Sequence, residues 1–143
     1  MQEIEDIRAR LEAAPLAADA LAATLAAALD AFGVLLASCR DSEERSVELF
    51  AAFAFAAAAA AEGRHILLTA PSLPSAQGLV TSHAACVQAD LEVTADALAG
   101  LAGTLSRHLS SAARRAQDPG DHAACCDAAR EAARVHELLA RGD

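Results

Sequence analysis

The 143-residue sequence contains no lysine, tryptophan or tyrosine, and its four phenylalanines all lie between positions 32 and 55. The absence of lysine excludes a Schiff-base lysine, a lysine-anchored pyridoxal phosphate and the phosphate-binding lysine of a P-loop. So few aromatic residues leave no platform on which nucleic-acid bases would stack. A net charge of −9 also opposes DNA or RNA as a partner, because phosphate binding requires a basic face.

Targeting and membrane-spanning segments are not evident in the sequence. The first residues are acidic, and no basic region precedes an apolar run, so a secretory signal is not expected. The most apolar stretch, 49–61, is shorter than the roughly 20 residues of a membrane span and predicts a buried core helix. Four cysteines without an export signal indicate reduced thiols. These observations predict a cytoplasmic protein that does not contact a membrane. The abundant Ala and Arg are typical of a GC-rich bacterial genome.

Alanine is the commonest residue and occupies 41 positions. Alanine is the best helix former but buries little surface, so stability must come from close packing between helices. Residues that favour strands are few and do not alternate with polar residues over a useful length. The composition therefore predicts an all-α fold, and the length predicts a single domain over residues 1–143.

Three breaks divide the chain into four predicted helices, at 40–42, 71–75 and 117–121. The breaks combine turn-forming residues with candidate helix caps, which are Asp41, Ser75 and either Asp118 or Asp121. Short connections favour antiparallel neighbours, so we predict an up-down-up-down four-helix bundle. Pro15 lies inside a heptad pattern that runs from Ile4 to Cys39. Because proline lacks the N–H that the helix needs, we predict a kink or break in the first helix near Pro15.

The predicted helices have unequal lengths, which would leave apolar faces uncovered in a monomer. At a rise of about 1.5 Å per residue, the first and third segments reach about 55 Å and the fourth about 30 Å. Either the third segment bends near Gly100 or Gly103, or a second chain covers the overhang. Ala99 and Gly103 form a pair of small residues that would permit close approach of helices. We therefore expect a homodimer.

A histidine followed three residues later by a cysteine occurs twice, as His83–Cys86 and His122–Cys125, and Cys126 follows directly. Residues three apart share a helix face. In the predicted bundle, two cysteines and two histidines lie on inner faces near one end. The set consists of Cys39, His108, His122 and Cys125. Two thiolates and two imidazoles suit Zn or Cu(I), so these residues are the predicted metal site.

Two other interpretations of the cysteines remain open. Free cysteine commonly packs as a small hydrophobic residue, and inert packing is the more frequent case. Alternatively, Cys125 and Cys126 lie near the start of the fourth predicted helix, where the helix dipole favours a thiolate, and His122 is one turn away. That placement would make one of them a reactive thiol.

Phenylalanines among the alanines of the second predicted helix indicate an apolar pocket for a small ligand. The candidate ligand-binding residues are Phe50, Phe53, His65 and His83. The sequence contains no P-loop, dinucleotide-binding fingerprint, nucleophile elbow or paired CxxC. The leading hypothesis is therefore a non-catalytic helical module that binds itself, a partner helix or a small apolar ligand. A metal-binding bundle is the alternative, and a small accessory enzyme of a biosynthetic pathway is the third.

Overall fold

The computed structural model describes residues 2–13, 20–73, 87 and 90–140, and the regular structure in these ranges is helical, without strands. The helices are α1 (Gln2–Ala13), α2 (Ala20–Glu43), α3 (Phe50–Leu67), α4 (Leu91–Arg115) and α5 (Pro119–Ala140). The predicted all-α fold is confirmed. The kink or break predicted at Pro15 and the first part of the third predicted helix lie outside the described residues.

The helices pack around one core. α4 and α5 form the most extensive pair, while α3 packs against both α2 and α5. α2 also contacts α4, so the four longer helices form a ring of neighbours in the order α2, α3, α5, α4. The short α1 packs against α2 and α4. The order of neighbours in this ring differs from the order along the chain, because α3 packs against α2 and α5 but not extensively against α4.

The heptad pattern of the first predicted helix marks the inner faces of α1 and α2. The buried positions of this pattern are Ile4, Ile7, Leu11, Leu25, Ala28, Phe32, Leu35 and Cys39. Phe32 and Phe53 are among the largest fully buried side chains, and four leucines of α4 are fully buried as well. Alanine fills much of the remaining core, and each alanine buries less apolar area than the larger side chains around it.

The first predicted break lies later in the structure than the sequence indicated. α2 continues through 40–42 to Glu43, and α3 begins only at Phe50. Ser42 is fully buried, so packing holds the last turn of α2 in place, and Asp41 does not begin a new helix. In the connection, the backbone N–H of Leu49 donates to Ser46 Oγ at 3.0 Å.

The other two predicted breaks agree with the structure. α3 ends at Leu67, shortly before 71–75, and α4 and α5 are separated at Arg115 and Pro119. The backbone N–H of Gly120 donates to Asp118 Oδ1 at 2.7 Å. Asp118 is therefore the side-chain cap of α5, and Pro119 takes the first helical position, where an N–H is not required.

One helix in the described part of the chain, Leu21–Glu43, is long and apolar enough to cross a membrane by length and composition. The sequence prediction rested on 49–61 and overlooked this longer segment. However, 61% of its apolar window is buried inside the protein, and the core helix of a soluble protein passes the same test. It is therefore weak evidence for a membrane span.

Candidate functional site

The structure divides the predicted ligand-binding residues between the core and the surface. Phe53 is fully buried, whereas Phe50 is 52% exposed at the first position of α3. His65 is exposed near the end of the same helix, and His83 lies outside the described residues. The apolar residues of α3 thus serve two purposes, since some fill the core and others face solvent.

The exposed apolar part of α3 lies in its first turns. Phe50 and Phe55 each expose more than half of their surface. Among the other large apolar residues that the structure describes, Val47 alone is exposed to this degree. At about 100° per helical residue, the two phenylalanines border an arc in which Ala51, Ala54 and Ala58 lie between them. Ala51 and Ala58 are exposed and Ala54 is half-buried. We call these five residues the α3 face.

An open groove of about 510 Å³ adjoins the α3 face. It is lined by Glu43, Glu44, Arg45, Ser46, Val47 and Phe50. Val47 is 97% exposed, the highest value among the large apolar residues in the described ranges. Glu48 and Glu62 are also exposed, one before the α3 face and one beyond it along the helix. The surroundings of the α3 face are therefore mainly acidic.

The predicted Zn or Cu(I) site is not assembled in the structure. Within the described ranges, no group of three or more His, Cys, Asp or Glu side chains is placed to hold a metal ion. Cys39 of α2 and Cys125 of α5 are buried in the core, and His108 of α4 is half-buried. His122 is exposed, so its predicted place on an inner face beside Cys125 is wrong. Residues three apart lie about 60° apart around a helix, and here this angle places Cys125 in the core and His122 at the surface.

The two buried thiols are poor nucleophiles. Burial, and to a smaller extent the charge of Glu43, raises the pKa of Cys39 to about 12. Burial, followed by the charges of Asp121 and Cys126, raises the pKa of Cys125 to about 11. Because the thiolate is the reactive form, both thiols are largely unreactive at neutral pH, as inert packing predicts.

Three hydrogen bonds join α4 and α5 in one antiparallel register. The pairs are His122 with Ala113 at 2.8 Å, Ala129 with Ser106 at 3.0 Å and His136 with Ala99 at 2.8 Å. Histidine Nδ1 faces a carbonyl oxygen in the two outer pairs, and a serine hydroxyl donates to a carbonyl in the middle one. Successive pairs are seven residues apart on each helix and run in opposite directions. This repeat fixes how the two helices lie against each other.

The first of these pairs fixes the orientation of the His122 ring. A carbonyl oxygen only accepts hydrogen bonds, so Nδ1 of His122 carries the proton and donates it to the Ala113 oxygen. In the neutral ring, Nε2 is then the acceptor, and it lies 3.6 Å from Sγ of Cys126, one turn further along α5. Cys126 supplies a thiol, His122 a base, and the Ala113 oxygen the group that orients the base, which are the parts of an activated nucleophile. We call the two side chains the Cys126–His122 dyad.

The dyad lies in an open groove of about 390 Å³ between α4 and α5. The lining includes Arg114 and Arg130 but no Asp or Glu, although the chain carries 20 acidic residues against 11 basic ones. Arg130 also pairs with Asp127, which does not line the groove. The groove is therefore a locally basic part of an acidic protein.

The metal hypothesis paired His122 with Cys125, and the reactive-thiol interpretation left both cysteines open, whereas the structure pairs His122 with Cys126. Positions three and four residues further along a helix are both neighbours, so the spacing alone could not select one. Cys125 is fully buried, while Cys126 is half-buried and lines the groove. The position of α4 against α5 decided which thiol is accessible.

Comparison of the chain with family models, with curated proteins and with solved structures gives no significant match. Function is therefore inferred from the α3 face and from the groove that holds the dyad.

Proposed function

We propose that the protein is a non-catalytic cytoplasmic module that binds an amphipathic helix of a partner protein through the α3 face. The observation that carries the proposal is the exposure of Phe50 and Phe55, two of only four phenylalanines in the chain. Contiguous exposed apolar surface commonly marks a protein-interaction site. Aromatic side chains are the usual anchors of such sites.

The shape of the α3 face suits a helix. The alanines between the two phenylalanines form a low floor, and helices approach closely where the contacting side chains are small. Phe50 and Phe55 border that floor, so their rings would lie on either side of a docked helix. Helices recognised in this manner present apolar residues at i, i+3, i+4 and i+7.

Charge around the α3 face favours a basic partner over a second copy of the chain. Glu44, Glu48 and Glu62 are exposed near this face, and the whole chain carries a net charge of −9. Two copies meeting through the face would bring these carboxylates together, and like charges across an interface disfavour binding. A helix with Arg or Lys beside its apolar residues would instead place opposite charges there. The homodimer expected from the sequence is the competing outcome.

α5 runs opposite to α4, because their three hydrogen bonds require opposite helix directions. The predicted up-down-up-down order does not fit the structure, because α3 and α4 both end beside the start of α5 and therefore run in the same direction. α3 packs against α2 and α5 on its buried side. The α3 face is therefore the outer side of a helix whose inner side is packed against two others.

Titration with a designed peptide tests this function. The probe is a fluorescently labelled helix of about 18 residues with leucines on one face and arginines beside them. We expect saturable binding by anisotropy with a Kd of about 1–50 μM, and Phe50→Ala combined with Phe55→Ala should weaken it about tenfold or more. Val93→Ala is the matched control, because Val93 is 49% exposed on α4 and should not affect binding.

A second peptide with glutamate in place of arginine separates charge from apolar contact. It should bind about tenfold more weakly than the basic peptide. Equal affinity for both peptides, or affinity that the phenylalanine substitutions leave unchanged, contradicts the proposal. Sedimentation velocity tests the homodimer, and a dimer that dissociates in the double phenylalanine variant would assign the α3 face to a second copy instead.

A further inference from the structure

We propose that Cys126 forms mixed disulfides with small disulfides that carry carboxylates. This modification uses the groove between α4 and α5 and is independent of partner binding at the α3 face. Three features meet in that groove: an accessible thiol, a base with a fixed orientation and a basic lining without carboxylates.

The groove gives a small molecule access to the thiol. Cys126 is half-buried and lines the groove, and the opposite wall carries small side chains, Ser106, Ser110 and Ala113. A volume of about 390 Å³ is within the range of sites that hold small ligands. Larger side chains at these positions of α4 would close the space above Sγ.

The base is positioned by the helix pair rather than by a loop. His122 and Cys126 are one turn apart on α5, and the Ala113 oxygen that orients the imidazole belongs to the last turns of α4. The antiparallel register between the helices keeps the ring in place. Nε2 is therefore directed at the thiol before any ligand binds.

The lining of the groove selects for negative charge in the ligand. Arg114 comes from α4 and Arg130 from α5, so guanidinium groups approach the groove from both helices. Arginine binds carboxylates through two parallel hydrogen bonds. The overall charge of −9 repels anions at long range, but this repulsion is screened beyond about 10 Å at moderate salt. Within the groove, the local arginines decide the preference.

The reaction is a thiol–disulfide exchange. The proton of Cys126 moves to Nε2 of His122, and Sγ attacks one sulfur of the small disulfide. A bond between Sγ and that sulfur forms while the original S–S bond breaks, and the departing thiolate takes the proton from His122. One disulfide is consumed and one is formed, so no other oxidant or reductant takes part. The adjacent Cys125 faces the core, so it is not placed to attack the adduct.

The experiment follows adduct formation on the reduced full chain with glutathione disulfide, by intact mass and by fragmentation of the modified peptide. We expect Cys126 to react at least about tenfold faster than the buried Cys39 and Cys125. Cys126→Ser should remove the fast reaction at this peptide, and His122→Ala should slow it about tenfold or more. Far-UV circular dichroism checks that both variants keep the fold.

Cystamine, a cationic disulfide, tests the role of the arginines. The wild-type protein should favour glutathione disulfide over cystamine, and Arg114→Ala or Arg130→Ala should reduce that preference about threefold or more. Arg134→Ala is the matched control, because it removes the same charge from an exposed position of α5 that does not line the groove. The proposal is overturned by absence of an adduct at Cys126, by equal rates in His122→Ala, or by equal effects of Arg130→Ala and Arg134→Ala.

Discussion

The carboxylate of Asp121 accepts two hydrogen bonds from Ser72, one from the backbone N–H at 2.9 Å and one from the hydroxyl. Asp121 is 1% exposed and lies in the first turn of α5, whereas Ser72 belongs to the connection after α3. A negative charge in the first turn of a helix is favourable because the unpaired N–H groups point towards it. The pair therefore ties the end of α3 to the start of α5.

Replacing Asp121 should measure the strength of this connection. Asp121→Ala removes both hydrogen bonds and should lower the free energy of unfolding by about 1–3 kcal/mol. Asp121→Asn keeps an acceptor oxygen and should lose less. Urea unfolding followed by far-UV circular dichroism is the suitable measurement, because the chain lacks Trp and Tyr. Asp96→Ala, at an exposed position of α4, should change stability by no more than about 0.5 kcal/mol, and an equal loss there would contradict the prediction.

Two glycines in helices should respond to alanine in opposite directions. A Cβ at Gly63 would overlap Cε1 of the buried Phe32 ring, so Gly63→Ala should lower the free energy of unfolding by about 1–3 kcal/mol through overpacking. Among the described residues, a Cβ at Gly100 would meet only the flexible Arg8 side chain, at 3.6 Å. Gly100→Ala should therefore stabilise the protein by up to about 1 kcal/mol through helix propensity.

The contact with Phe32 gives this prediction a second test. The double variant Phe32→Leu with Gly63→Ala should lose less free energy of unfolding than the two single variants lose in sum. The smaller leucine side chain makes room for the new methyl group. Thermal or urea unfolding of the four proteins measures this coupling. Additive losses would show that the strain at Gly63 does not come from Phe32.

Alkaline pH should destabilise the protein through its buried thiols. Burial raises the pKa of Cys39 to about 12 in the folded protein and that of Cys125 to about 11, against 9.0 for an unburied thiol. Above pH 9 the unfolded thiols lose protons before the folded ones do. The free energy of unfolding should therefore fall with rising pH, by up to about 1.4 kcal/mol per pH unit for each thiol, until the folded pKa is reached.

This alkaline effect is easy to isolate in this chain. Without Lys or Tyr, the cysteines are the main side chains that titrate between about pH 8 and pH 11. Urea unfolding in reductant should show a slope over this range, and Cys39→Ala should reduce the slope even though it also lowers stability at neutral pH. An unchanged slope in Cys39→Ala would be evidence against the raised pKa.

Much of the fold could be predicted because helix formation depends on local sequence. Alanine content and heptad spacing identified the all-α class and the buried positions from Ile4 to Cys39 that the structure describes. Asp118 followed by Pro119 located the start of α5, since both residues act through nearby backbone groups. The break after α2 was misplaced, because burial of Ser42 keeps that turn helical and burial depends on other helices.

Candidate sites were harder to predict, because they depend on which helices are neighbours. The proposed metal residues were chosen by assuming which ends and faces meet, and the structure groups no such set within the described ranges. Phe50 and Phe53 look equivalent in sequence, yet one is half exposed and the other buried. Their difference arises from how α3 lies between α2 and α5.

By itself, the sequence determined helical structure, the end of α3, the break between α4 and α5, and the chemical groups that are present or absent. These properties follow from short-range backbone preferences and from composition. The tertiary structure decided that Cys126 rather than Cys125 faces His122, and that a groove without carboxylates surrounds them. It did so because the register between α4 and α5 sets which residues of each turn are covered. That register depends on contacts between residues far apart in the chain.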